Sequence, residues 1–174
     1  MTNTSLEIGQ IRTMLEGDLE LVLSWRNHPE IRRYMYTQHE ITLSEHAHWF
    51  ECAVVNSSKH LLIYEINSLA QGFIQFTQVA DGPIAEWGFY AAPDSQKGTG
   101  KNMGYMALQY AFERIGIHKV CGQALEYNEP SIRLHRALGF AAEGLLREQH
   151  YDGKNFHNVY CFGLLTSEWA QPAD

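Results

Sequence analysis

The sequence predicts an α/β (α+β) protein with one mixed, mostly antiparallel sheet of six or seven strands and helices on both faces. Two observations carry this. Apolar runs joined by short turn signals, the plainest being Asp152-Gly153, imply hairpins and therefore antiparallel pairs. One apolar run, 84–91, instead passes through a glycine loop into a helix and then into another apolar run at 117–121. A strand–helix–strand crossover makes its two strands parallel neighbours, so the sheet is mixed. With 174 residues and no linker, repeat or low-complexity stretch, residues 1–174 are expected to form a single domain.

The elements follow in order. Residues 5–12 alternate Leu6, Ile8 and Gln10 as a first strand. Gly17-Asp18 opens a helix with Asp18 in a capping position, and Leu19, Val22, Leu23 and Arg26 share one face of it, widened by Leu21 and Trp25. An arginine at i+7 of an apolar stripe either snorkels at the helix end or points a cation into a groove beside the core. Pro29 suits the first turn of a short helix over 30–35. A third helix spans 42–56, with Ser44 as its expected cap and Ala47, Phe50 and Val54 on its apolar face. His46 and His48, two residues apart, do not share a helix face, so a metal pair is not expected.

Residues 60–66 and 72–79 read as strands around an Asn67-Ser68 turn, and Asp81-Gly82-Pro83 turns the chain into a fourth strand, 84–91. The next helix runs from about Gly98 to near Gly116, followed by a buried fifth strand over 118–125. Asn128-Glu129-Pro130-Ser131 caps a helix carrying Ile132, Leu134, His135 and Leu138, which Gly139 stops. A hairpin of 143–151 and 155–165 completes the sheet, and the tail 171–174 is expected to fray.

Composition narrows the function. Apolar residues make up 45% and charged residues 19%, which is globular. A net charge of −7 disfavours nucleic acid or an anionic membrane as the main partner. Cys52, Cys121 and Cys161 are odd in number and widely separated, so neither a disulfide framework nor a zinc knuckle is expected, and a reducing cytoplasm is the simplest setting. No apolar run reaches membrane-spanning length.

The stretch 94–112 carries the first chemical signal. A polar loop with Gly98 and Gly100 feeds a helix bearing Met103, Met106, Ala107 and Tyr110 on one face. That order aims backbone N–H groups and the positive end of a helix dipole at one point, which suits a phosphate-bearing ligand. Lys97, Lys101, Lys119, Arg133 and Arg136 stand where a local basic pocket around the loop is possible.

The loop Gln-Lys-Gly-Thr-Gly-Lys at 96–101, the strand Trp-Gly-Phe-Tyr at 87–90 before it, and Asn128-Glu-Pro-Ser-Ile-Arg-Leu-His-Arg-Ala-Leu-Gly-Phe140 after it resemble the GNAT acyltransferase superfamily over nearly the whole chain. Ser95 departs from the Arg or Gln common at that loop position. More narrowly, 21–29 (Leu-Val-Leu-Ser-Trp-Arg-Asn-His-Pro), Met35-Tyr36, 41–46, 146–154 and 161–165 resemble PseH-type enzymes, the UDP-4-amino-4,6-dideoxy-N-acetyl-β-L-altrosamine N-acetyltransferases of pseudaminic acid biosynthesis.

The resemblance implies an enzyme that moves acetyl from acetyl-CoA to a sugar 4-amine, without a metal. It implies cofactor contacts at Gln96, Lys97, Gly98, Thr99, Gly100 and Lys101 for the pyrophosphate, at Phe89, Tyr90 and Ala91 for the pantetheine arm, and at Asn128 and Ser131 on the other side. It places Arg26, Met35, Tyr36, His46, Thr77, Gln78 and Tyr90 around a nucleotide-sugar acceptor; Met35 and Tyr36 read equally as ordinary core. The family's acidic tyrosine falls at His135; an unperturbed histidine titrates near ~6.5 against ~10 for a tyrosine and would donate a proton to the departing thiolate more readily, or alternatively His135 fills the helix face. Glu86, the carboxylate of the fourth strand, is the candidate base, while some relatives carry a carboxylate where Gln123 stands. The expected partner is a small nucleotide sugar, with no nucleic acid or membrane, for a cytoplasmic monomer or homodimer. Two other readings stand beside this one: a ribosomal-protein-type N-terminal acetyltransferase, and a non-catalytic acetyl-CoA sensor.

Overall fold

The computed structural model describes residues 9–79 and 81–169. Strands β1 (Gln10–Thr13), β2 (Lys59–Ile66), β3 (Leu69–Gln78), β4 (Ile84–Ala91), β5 (Lys119–Leu125), β6 (Ala141–Tyr151) and β7 (Phe156–Leu165) form one sheet in the order β1-β2-β3-β4-β5-β7-β6. The β4–β5 pair is parallel and the other neighbours are antiparallel. Helices α1 (Leu19–Asn27), α2 (Pro29–Arg32) and α3 (Leu43–Val54) cover one face; α4 (Thr99–Tyr110) and α5 (Glu129–Ala137) cover the other.

The strand alternation decides what each layer buries. On β2, Leu62 and Tyr64 face α4 and α5 while Leu61 and Ile63 face α1–α3, so this central strand reads as a continuous apolar run. The larger core joins Met103, Ala107 and Leu108 of α4 and Ile132 of α5 to Ile74, Phe76, Val120 and Phe162. The smaller one joins Val22, Trp25, Phe50 and Ala53 to Ile63 and Phe73. The β2–β3 turn holds Asn67 and Ser68 at φ 51° and 62°, the paired left-handed conformation that closes a two-residue hairpin.

Several local expectations change. Residues 5–8 of the first strand, and the tail 171–174, lie outside the described residues; β1 is four residues long. Asp18 does not cap α1. Its carboxylate turns back to accept from the Leu15 N–H (2.8 Å) and from Arg12 (2.8 and 2.9 Å), which also reaches Glu65. Helix α2 stops at Arg32 because the Tyr34 and Met35 amides bond to the carbonyls three residues back, tightening the chain out of the helix. Thr42, not Ser44, caps α3: its Oγ1 accepts from the Glu45 N–H while the Glu45 carboxylate accepts from the Thr42 N–H, a reciprocal capping box. Helix α4 runs on through a π turn, Ala111–Ile115, to Gly116 at φ 79°.

Four histidines shape how stability responds to mild acid. Burial holds His135, His46 and His60 below the usual 6.5, so below that value the unfolded chain binds protons that the folded chain resists. Their stabilising contribution is complete above pH 6.5 and is lost as pH falls toward their lowered values. His157 works oppositely: its hydrogen bond to Asp152 raises it, so its contribution is present below 6.5 and is lost as pH rises through the raised value. Thermal unfolding followed by circular dichroism is expected to show Tm dropping between pH 7 and 5.5, with the drop reduced in His135→Leu.

Candidate active site

Strands β4 and β5 pair at Ile84–Lys119, Ala85–Val120 and Glu86–Cys121 and then part, although β4 continues to Ala91 and β5 to Leu125. On its other side β4 stays paired with β3 as far as Ala91. Residues 87–91 therefore present a free strand edge to the gap. A side-chain wedge fills one side of the parting. Trp87 Nε1 donates to His135 Nε2 (3.0 Å), and a Cβ on Gly122 would collide with His135 and come within 2.8 Å of Trp87 Nε1. Glycine at 122 is what lets indole and imidazole pack directly beneath β5.

A cavity of about 800 Å³ passes through this gap and opens on both faces of the sheet. On the α5 side it is bounded by Asn128, Ser131 and Leu134, with Trp87 to Ala91 as the strand edge. On the α1–α3 side it is bounded by Arg26, Met35, Tyr36, His46 and Trp49, and its floor holds Gln75, Glu86, Cys121 and Gln123.

The α5 side suits a long phosphate-bearing cofactor. Gly98 sits at φ 96° as the N-cap of α4, a conformation strained for other residues, and the space where a Cβ would stand on Gly98 or Gly100 is open. Thr99 N–H closes a turn onto Gln96 O, and the Lys101 and Asn102 amides bond to Gly98 O. The amides of Lys97, Gly98 and Gly100 have no backbone acceptor among the described residues and sit at the positive end of the helix. Gln96, Lys97 and Lys101 are exposed and Thr99 is buried, so the loop offers backbone rather than a side-chain cage. Loop 96–101 stands beside the cavity rather than in its wall. Asn128 Oδ1 accepts from Ser131 N–H (3.2 Å), capping α5 and holding both residues on the cavity wall.

The α1–α3 side carries unmet polar groups. Arg26 Nη2 donates to Thr37 O (3.2 Å), but its Nη1 is buried with no partner among the described residues. Burial depresses the Arg26 guanidinium below its usual range, opposed by the nearby Tyr90. His46 is 5% exposed and stacks on Trp49 at 5.0 Å, and its Nε2 is likewise without a partner. Burial raises the Tyr90 hydroxyl. Glu86 occupies the last paired position before the strands part and is exposed to the cavity.

Three sequence expectations need correction. His135 is 1% exposed, and both ring nitrogens are spent: Nε2 accepts from the Trp87 indole, so Nδ1 carries the proton and donates it to the Ser131 carbonyl at 2.8 Å. Phe162 stacks on the ring at 4.7 Å, and burial pushes its pKa down. The one proton on this neutral ring is committed to the Ser131 carbonyl and the ring is sealed from the cavity, so His135 packs as a wedge in the core rather than facing a thiolate. Gln78 falls on the Phe76 side of β3, away from the cavity, by strand alternation. Thr77 faces the correct side but lies outside the wall, its Oγ1 accepting from Gln75, which lines the cavity instead. The same alternation applied to the sequence finds Gln75, and helix spacing from His46 finds Trp49 at i+3.

The residues that build this gap and its walls lie within a match to the family model for the Acetyltransferase (GNAT) domain, which covers residues 10–141. The chain belongs to the GNAT acetyltransferase family. Among relatives, this acetyltransferase is 28% identical to acetyltransferase PseH of Campylobacter jejuni subsp. jejuni serotype O:23/36, over 71% of this chain and 76% of that one. It is 31% identical to the SPbeta prophage-derived uncharacterized N-acetyltransferase YokL of Bacillus subtilis, over 70% of each chain. In fold it is similar to the Vibrio cholerae spermidine N-acetyltransferase crystallised with CoA and spermine, at TM-score 0.86 and 21% identity over 93% of this chain and 98% of that one. The protein is an acetyl-CoA-dependent N-acetyltransferase, and the free β4 edge and open amides at α4 fit that co-substrate. Among the described residues no group of three or more His, Cys, Asp or Glu is placed to hold a metal ion, and no helix is long and apolar enough to cross a membrane.

His135→Leu leaves the Trp87 N–H unpaired and is expected to destabilise by about 1–3 kcal/mol, read as a lower Tm. The pH profile of kcat should keep its shape, because His135 does not titrate in the reaction. Gly122→Ala should cost about as much or more by overpacking the wedge, measured by the same thermal unfolding.

Proposed function

We propose that this acetyltransferase acetylates the 4-amino group of a UDP-linked 4-amino-4,6-dideoxy sugar, as in pseudaminic acid biosynthesis. The observation that carries the reading is Arg26: a half-buried guanidinium on the acceptor wall with one nitrogen unpartnered among the described residues and no carboxylate paired to it. A buried cation in that state is matched by an anionic or carbonyl-bearing acceptor, and its planar fork suits a diphosphate or a uracil carbonyl. A polyamine would instead bring like charge beside it, a repulsion on the order of 4 kcal/mol at 4 Å and an effective dielectric of 20. Of the acidic groups lining the cavity, two are already engaged and only Glu86, at the parting of the strands, is left open. Glu30 is paired with Arg33, and Glu45 is spent on the α3 cap and His39. The similarity to PseH points the same way.

Acetyl-CoA supplies the acetyl group as an activated thioester. The protein's own contribution is positional and protonic. Residues Gly88 to Ala91 offer backbone hydrogen bonds along the free β4 edge, and the α4 amides receive the phosphates. Arg26 and His46 hold the acceptor so that its neutral amine meets the gap. The new C–N bond forms as the C–S bond breaks, and Glu86 takes the proton released by nitrogen, directly or through one water. Ser131 is the hydroxyl that α5 presents to the cavity; it donates a hydrogen bond to the departing thiolate, which takes up a proton from water while Glu86 returns one to solvent.

The deciding experiment offers the pure protein acetyl-CoA with a UDP-4-amino-4,6-dideoxy sugar, with spermidine, and with a peptide bearing a free N-terminus, and weighs the products by mass spectrometry. Acetylation of the sugar alone is expected. Turnover of only peptide or polyamine overturns the reading, and no turnover with any amine favours a sensor. Glu86→Gln is expected to lower kcat on the order of 10²–10⁴-fold. Arg26→Gln should raise the sugar KM at least ~10-fold while leaving the acetyl-CoA KM near its wild-type value, both read from steady-state kinetics.

A further inference from the structure

Once β4 and β5 part, no backbone hydrogen bond among the described residues ties the two walls of the gap together. On the acceptor side that tie is made by the segment 33–41. It is anchored to α1 at one end, where the Asn27 amide exchanges hydrogen bonds with Ile41 N–H and O (2.8 and 2.7 Å) and Arg26 holds Thr37 O. Its aromatic side chains reach the opposite wall. Tyr36 Oη donates to Gln123 Oε1 on β5 (3.0 Å), the Tyr36 ring sits edge-on to His150 of β6 at 5.1 Å, and the Tyr34 ring stacks on Tyr127 at 6.3 Å. Tyr36 and Gln123 are 87 residues apart, and both are exposed and line the cavity. Gln123 shares a strand face with Cys121, opposite the Val120 and Ala124 that pack toward α4 and α5, so this bond lies on the acceptor side and not the cofactor side.

We propose that Tyr36 and Gln123 are positioning residues: their hydrogen bond latches segment 33–41 across the gap and holds the acceptor amine where the strands part. The inference rests on the reading that the acceptor occupies the α1–α3 side of the cavity. A single neutral hydrogen bond open to water is weak, so the latch exchanges between closed and open forms, and acceptor affinity scales with the closed fraction.

The test uses Gln123→Leu, Tyr36→Phe and the double variant, with whichever amine the acceptor panel shows to be turned over. Each single variant is expected to raise the acceptor KM about five-fold while the acetyl-CoA KM moves less than two-fold, and the double variant should be no worse than either single. Hydrogen exchange of the 33–41 amides, measured with no acceptor present, should quicken in all three. This arm reads the latch whatever the acceptor proves to be, so it separates failure of the latch from failure of the sugar reading. Unchanged exchange, additive losses in the double variant, or equal rises in both KM values would each overturn the proposal. So would faster exchange with an unaltered acceptor KM.

Discussion

Three residue pairs join β4 to β5, and then the strands separate while both continue. That constraint sets the rest of the molecule. A strand that stays paired on one edge and not the other leaves backbone N–H and C=O groups facing a cavity, and buried backbone groups are nearly always paired. The free edge at 87–91 is thus the backbone's own demand for a ligand that can act as a partial strand. The parting is maintained by side chains: Trp87 and His135 occupy the volume beneath Gly122, with Phe140 and Phe162 stacked around them. The interior is close-packed, so this wedge cannot be thinned or thickened by one methyl group without cost.

The cavity that results has two chemically different sides. Toward α4 and α5 the ligand groups are backbone amides, a helix N-terminus and the cap residue Asn128, which favour a phosphorylated cofactor over a wide range of local sequence. Toward α1–α3 the ligand groups are individual side chains, and two of them, Arg26 and His46, hold buried nitrogens without partners among the described residues. A buried polar nitrogen without a partner costs about 1–3 kcal/mol, and retaining two on one wall stores binding energy for the molecule that satisfies them. The first side is in this sense generic and the second particular, which agrees with a family in which one fold serves relatives of different kinds.

Much of this architecture was legible before any coordinates. Gly98 in the loop, the Asn128 cap, the Asp152-Gly153 turn and the paired Asn67-Ser68 turn are local signals: each requirement is met within a few residues, so it shows in the order of residues. The strand–helix–strand crossover fixed β4 and β5 as parallel neighbours. The α3 cap was legible too, since Thr42 has Glu45 three residues on, and Ser44 does not. Gln78 entered through the family likeness, and strand alternation, which places Gln75 and Thr77 on one face and Gln78 on the other, argues against it.

What the chain order could not decide is how a polar side chain is spent. His135 stands at a position where a proton donor fits the family pattern, but whether it faces thiolate or core depends on Trp87, 48 residues away, and on the absence of a side chain at Gly122. Likewise Tyr36 reads in the sequence as an acceptor contact or ordinary core, and its hydrogen bond to Gln123 exists only across the gap. Local conformation, the glycine loop included, is a property of short stretches, and the sequence determined it by itself. The fate of a titratable or hydrogen-bonding group depends on partners brought together by packing, and only the tertiary structure decided that.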